Sequence, residues 1–328
     1  MKAVTLRAPV AILSGLLVAG AALAQQRAAP DYPNKPIRGI VPFVPGGPND
    51  VIGRLVGQKM MAAWGHNLII DNRAGAGGII GTELVAKSPP DGYTVLISTS
   101  AHALLPAFNK LPYDPVRDFA AITTSSRVPG YLLGVHPSMP VRSVKELIAL
   151  AKKYPGKLNY GSSGLGGVLH FATEKFNSAA GIKMTVVHYK GIGQLITDLA
   201  GGHIDLAFLT LSTAVGMVKS GKVRAIAISG KNRWKHLPDV PTVDEAGVKG
   251  FEYYAWFGFW FPAGTPTEII SKFHDEVAKA VAAPDVVQRF DELGFEPLIL
   301  KPDEFTNLVQ KDIDAAKKLA TQLGITAQ

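Results

Sequence analysis

Cysteine is missing from the whole of this 328-residue sequence. Its absence excludes disulfides, thiolate-bound metals, a cysteine nucleophile and lipoprotein attachment. The eight histidines include no His-Glu-x-x-His and no pair four residues apart, so a helical zinc site has no support. His102, His136 and His170 recur at 34-residue intervals, but their neighbours do not match and no repeat underlies them. Gly161-Ser-Ser-Gly164 lacks the Gly-x-Ser-x-Gly spacing of a nucleophile elbow. No Walker lysine and no dinucleotide fingerprint accompanies the glycine loops. These gaps argue against an enzyme and against a bound cofactor or metal. Lys and Arg are scattered rather than striped, despite a formal net charge of +8, which argues against nucleic acid.

What is present begins with an export signature. Lys2 and Arg7 precede a small, apolar run from Ala8 to Ala24, and Ala22-Leu-Ala24 offers a cleavage site before Gln25. Residues 1–24 are therefore read as a signal peptide, cleaved after Ala24, with the alternative of a signal anchor. An exported chain without cysteine suits a bacterial periplasm. The remainder, at 47% hydrophobic over the whole chain, is long enough for two ordinary domains.

The chain is organised around Val41-Pro-Phe-Val-Pro-Gly-Gly-Pro-Asn-Asp50. An apolar strand, Ile37 to Val44, runs into it. A helix leaves it, with apolar residues at 51, 52, 55, 56 and 60 and a cap from Asn49 or Asp50. Such a corner aims bare backbone N–H groups and a helix dipole at one spot. It reads either as an anion site or as a plain tight βα turn. Gly161-Ser-Ser-Gly-Leu-Gly-Gly167 repeats the arrangement before a helix at Val168. One anion clasped between two domains would need both corners.

Between and beyond the corners, strands at 67–71, 93–100, 131–136, 157–160, 185–189, 204–208 and 223–229 alternate with helices. Ser143-Val-Lys-Glu146 is a capping box. This alternation predicts parallel sheets, with ligands at the carboxyl ends of strands. Ser98 and Ser100 lie at such an end, where hydroxyls serve a ligand, a solvated loop or a helix cap. An aromatic-rich stretch at 251–261 precedes two closing helices, 267–283 and 302–323. If those pack on the first domain, the chain crosses between domains twice and makes a two-lobed clamp with a hinge.

The motifs, taken together, resemble the Bug family of extracytoplasmic receptors for tripartite tricarboxylate transporters. They include Pro45-Gly-Gly-x-x-Asp50, Asn72-Arg-x-Gly-Ala-Gly-Gly, Asp91-Gly-Tyr-Thr and Leu111-Pro-Tyr-Asp-Pro-Val. Tyr160-Gly-Ser-x-Gly-x-Gly with His170, Pro238-Asp-Val-Pro-Thr-Val-x-Glu-Ala-Gly247 and Pro262-Ala-Gly-Thr-Pro266 complete the collinear match. The resemblance implies an α/β Venus flytrap, a two-lobed periplasmic binding protein. Lobe 1 would be residues 31–128 plus 249–328, and lobe 2 residues 129–248. It implies a ligand carboxylate held by Phe43, Gly46 and Gly47 on one side and Ser162, Ser163, Gly164 and Gly166 on the other. Asp50 is then a loop brace, and His170 either a ligand contact or a packed imidazole. The implied partners are a small organic anion and membrane transporter subunits, with the receptor itself monomeric. A sensor kinase as the downstream partner is the alternative. Leu105-Pro106 and Leu209 replace polar residues common in relatives, which suggests a more apolar, even aromatic, acid rather than citrate.

Overall fold

In a computed structural model, the described residues are 31–322 apart from Ser163, Leu165 and Lys190, together with Gly324. The proposed signal peptide and its cleavage site lie outside them. The first half runs β1 (Ile37–Val41), α1 (Pro48–Trp64), β2 (Leu68–Asn72), α2 (Ile79–Ala86), β3 (Thr94–Thr99), α3 (Ala101–Leu104), β4 (Phe119–Val128), β5 (Tyr131–Val135), α4 (Val144–Lys153) and β6 (Asn159–Ser162). It continues with α5 (Val168–Ala180), β7 (Thr185–His188), α6 (Ile192–Ala200), β8 (Leu206–Thr210), α7 (Leu211–Lys219) and β9 (Arg224–Ile228). The chain ends with β10 (Ala255–Pro262), α8 (Thr267–Ala282), α9 (Pro284–Glu292), β11 (Glu296–Pro297) and α10 (Pro302–Gln322). From Pro33 onward the described residues form one compact unit.

Local chemistry explains many boundaries. Pro48 opens α1, where a missing N–H costs nothing, and Gly65 closes it in the left-handed conformation at φ 71°. Ile52, Val56 and Met60 then bury one face of that helix. Ser143 Oγ accepts the Glu146 N–H, the cap half of the box, while the Glu146 carboxylate reaches one residue past the cap to accept the Arg142 N–H. Pro284 splits the closing helical region: Ala283 before it is extended (φ −64°, ψ 134°), so α8 stops and α9 starts. Three closing helices therefore replace the two expected.

The strands form two mixed sheets, ordered β11-β4-β10-β3-β1-β2 and β7-β6-β8-β5-β9. The expectation of purely parallel sheets needs correction. β10 runs antiparallel to β3 and β4, and β5 runs antiparallel to β8 and β9. These are the strands next to the points where the chain passes from one sheet to the other, entering each against its βαβ strands. β4 escaped the sequence pattern because its centre, Thr123-Thr-Ser-Ser126, is polar yet buried. Tertiary partners compensate: the Thr123 and Thr124 hydroxyls donate to the carbonyls of Leu300 and Leu298. Trp256, Trp260 and Phe305 centre the core of the first sheet, and Leu132, Leu195, Leu199 and Leu209 that of the second.

The chain crosses between sheets after β4 and again between β9 and β10. Ser229 ties the two passages together. Its hydroxyl accepts the Tyr131 N–H and donates to Tyr253 O, while its own carbonyl accepts the Tyr253 N–H. Beside it the two passages lie so close that a Cβ on Gly230 would fall 1.9 Å from Pro129 O.

Candidate functional site: paired glycine corners

The β1–α1 and β6–α5 connections share one geometry. In each, a left-handed glycine (Gly46 at φ 80°, Gly166 at φ 72°) precedes an extended glycine that caps the helix. Gly47 has φ −76° and ψ 169°, and Gly167 has φ −72° and ψ 165°. The helix then begins with a 3.0 Å bond, Val51 N–H to Gly47 O in one and Phe171 N–H to Gly167 O in the other. Only glycine adopts the first conformation without strain. The side chain four residues on braces that glycine in both corners. The Asp50 carboxylate accepts the Gly46 N–H at 3.1 Å, and His170 Nδ1 accepts the Gly166 N–H at 3.2 Å.

The braces differ in charge. Asp50 also receives Arg54 Nε and Nη2 at 3.0 and 2.9 Å, and the Arg54 guanidinium holds its carboxyl below the usual range. Neither Asp50 nor Asn49 caps the helix, contrary to expectation, because the helix starts at Pro48, three residues before Val51, with Gly47 as its cap. His170 is neutral: burial pushes its imidazole down to about 4, and the nearby His188 ring adds to the effect. An accepting Nδ1 places the remaining proton on Nε2.

These bonds change which groups are left for a ligand. The N–H groups of Gly46 and Gly166 are spent on their braces. The Ser162 hydroxyl is fully buried and donates to Gly164 O at 2.9 Å. What remains is the first turn of each helix, whose N–H groups have no intrahelical acceptor: Gly47, Asn49 and Asp50 on α1, Val168, Leu169 and His170 on α5. Gly167, absent from the sequence-derived set, matches Gly47 in backbone conformation, although its own N–H donates to Gly164 O at 3.4 Å. The signal that marks it is the repeated Gly-Gly pair before each helix. Gly164 is left-handed at φ 130° with open space around it. Ser163 lies outside the described residues.

Side chains connect the corners. A Cβ on Gly78 would meet the Phe43 ring at 3.4 Å, and one on Gly77 would meet Leu105 at 3.6 Å. Phe108, a short step along the chain from Leu105, covers Gly166 (3.1 Å from a Cβ there) and lies 5.8 Å from the His170 ring.

Ser98 and Ser100 behave differently from the corner residues. Both are buried. Ser98 shares strand parity with Leu96, a member of the tryptophan-centred core. Ser100 borders a cavity of about 80 Å³ that Lys175, Tyr253 and Asp312 also line. There Lys175 Nζ donates to Glu252 O, Trp256 Nε1 donates to Asp312, and burial raises the Asp312 pKa. Leu209, expected near a ligand, is fully buried against Leu132, Leu195 and Leu199. Thr210 is the residue at that strand end, its hydroxyl donating to Thr213 Oγ1. Among the described residues, no group of three or more His, Asp or Glu could hold a metal ion.

The sequence profile of the tripartite tricarboxylate transporter family receptors matches residues 52–325. The chain belongs to that family. Protein BugT of Bordetella pertussis is 34% identical to this receptor over 91% of this chain and 92% of its own. Among solved structures, R. palustris Rpa4515 with adipate is 35% identical with a TM-score of 0.81, covering 91% of this chain and 100% of its own. MatC from Rhodopseudomonas palustris with bound malate is 30% identical with a TM-score of 0.77, covering 88% and 100%. The receptor thus has the two-sheet α/β fold of periplasmic binding proteins and is a periplasmic solute-binding receptor. The family and these neighbours are binding proteins, not enzymes.

Proposed function

We propose that the receptor captures a small organic carboxylate between its two glycine corners and delivers it to membrane subunits of a tripartite tricarboxylate-type transporter. The observation that carries this reading is the pairing of the corners. Two helix N-termini with the same Gly-Gly entry each present bare N–H groups with partial positive charge. Each first turn supplies donors without a desolvated Lys or Arg, so the anion is held without burying a cation. Adipate and malate in the two related structures have the same chemistry.

The moving parts are lobe 1 (31–128 with 249–328) and lobe 2 (129–248), the strands beside Ser229 forming the pivot. Phe43, Gly47 and the α1 amides serve one side of the ligand. Gly164, the α5 amides and His170 Nε2–H serve the other. Gly46, Gly166 and Ser162 shape the loops, and Ser98 and Ser100 support from below. Closure is driven by contacts that exist only when both corners hold the same anion. The exported chain, processed after Ala24, works as a monomer in the periplasm.

Thermal unfolding of the processed chain against C4 to C6 dicarboxylates, citrate, benzoate and terephthalate tests this. A ligand at 100 times its dissociation constant adds about 2.7 kcal/mol, or roughly 4 °C for a chain of this size. A shift with one or a few acids supports capture. No shift with any, in protein refolded free of co-purified solute, sinks it.

A further inference from the structure

We propose that Asn49 reads the carbon next to the bound carboxylate, and that the receptor selects acids carrying a hydroxyl or amine donor on that carbon. This rests on the carboxylate reading above. Asn49 is 4% exposed, and its Oδ1 is buried without a hydrogen-bond partner. An orphan acceptor at such depth is a standing cost to the empty protein. It sits in the first turn of α1, beside the N–H groups left free by the brace.

The helix face shows where the amide points. Asn49, Ile52, Gly53 and Val56 share the buried stripe of α1. A Cβ on Gly53 would lie 2.9 Å from Ile70 and 3.0 Å from Ile97, so this stripe rests on β2 and β3. One turn earlier, Asn49 reaches the ends of the same two strands. Asn72 and Thr99 stand there, each two residues beyond those isoleucines and on the same face. The Asn72 amide already donates to Phe43 O at 3.1 Å, and the Thr99 hydroxyl lies 3.5 Å from that of Ser100. Neither satisfies Asn49.

An ionised carboxylate bound to the α1 amides has no proton to offer Oδ1. A hydroxyl or ammonium on the adjacent carbon does, and it lies one bond away from the group the same helix turn holds. The orphan acceptor becomes satisfied only when such a ligand is present. An acid without the donor leaves it buried and unpaired, which makes the discrimination steep.

The test is titration calorimetry on the wild type, Asn49→Ala and Asn49→Leu with matched acids: succinate and malate, glutarate and 2-hydroxyglutarate, adipate and 2-hydroxyadipate. For whichever length binds, the wild type is expected to prefer the hydroxy acid by about tenfold or more. Both variants should bind the two acids of a pair within about twofold of each other. Unliganded Asn49→Ala should melt no lower than the wild type, since it deletes an unpaired buried acceptor. Equal wild-type affinity within each pair, as when an ordered water occupies Oδ1, overturns the assignment. So does a preference that survives in both variants. A wild type that binds no acid of any length counts against the carboxylate reading itself.

Discussion

Replacing Asp50 by alanine isolates what a brace contributes. The Asp50 side chain is only 5% exposed while Arg54 is 53% exposed. The ion pair alone is therefore worth little, because Arg54 returns to water at small cost. The loss comes from the Gly46 N–H, left without its charged acceptor, at about 1.5–3 kcal/mol. Removing a negative charge from a helix N-terminus adds about 0.3–1 kcal/mol. A total of about 2–4 kcal/mol corresponds to roughly 3–6 °C in melting temperature for a chain of this length. The pH dependence separates this from simple loss of packing. Arg54 and the Gly46 N–H hold the Asp50 pKa below its ordinary value. Its stabilisation is therefore complete above the unfolded carboxyl pKa and disappears as pH falls through the lower folded one. Melting temperatures of wild type and Asp50→Ala should differ most near neutral pH and draw together as pH falls below the ordinary carboxyl range. Asp50→Asn, which keeps one acceptor, should fall between them. Equal melting at pH 7, or a gap that persists unchanged in acid, would refute the brace.

The second brace should show a different signature. His170 is neutral in the fold with a pKa near 4, below its unfolded value, so native stability is full above about pH 6.5 and falls as protons bind the unfolded chain. Asn in its place should flatten that decline between pH 6.5 and 4 in melting curves, and a decline of unchanged slope would contradict it. At the crossing, Gly230→Ala should cost about 3 kcal/mol or more, because the added Cβ would fall 1.9 Å from Pro129 O and the obstacle is backbone. Gly216→Ala, inside α7 with open space around it, should instead raise stability by about 0.5–1 kcal/mol in denaturant titration.

Much of this protein was legible in the residues themselves. Gly-Gly before an apolar helix, Ser143-x-x-Glu146 and the alternating strands report choices made over a few neighbouring residues, where backbone sterics and local hydrogen bonds decide. The order of the motifs likewise pointed to the receptor family before any fold was considered, and the export signature with no cysteine to the periplasm. Other features belonged to contacts between distant segments. Thr123-Thr-Ser-Ser126 carries no strand pattern in the sequence; it is a strand because β10 pairs with it, and carbonyls of residues 300 and 298 satisfy the buried hydroxyls of Thr123 and Thr124. The aromatic run ending at Pro262 is a strand because β3 and β4 flank it, and its antiparallel sense follows from the return crossing. Leu209 looked like a site residue and is core, since the face on which a strand-end side chain lies depends on the helices packed there. The same holds for the corners. Sequence named the glycines, but which N–H groups remain free was decided by Asp50 and His170 folding back onto them, and the unpaired depth of Asn49 exists only once α1 lies across the ends of β2 and β3.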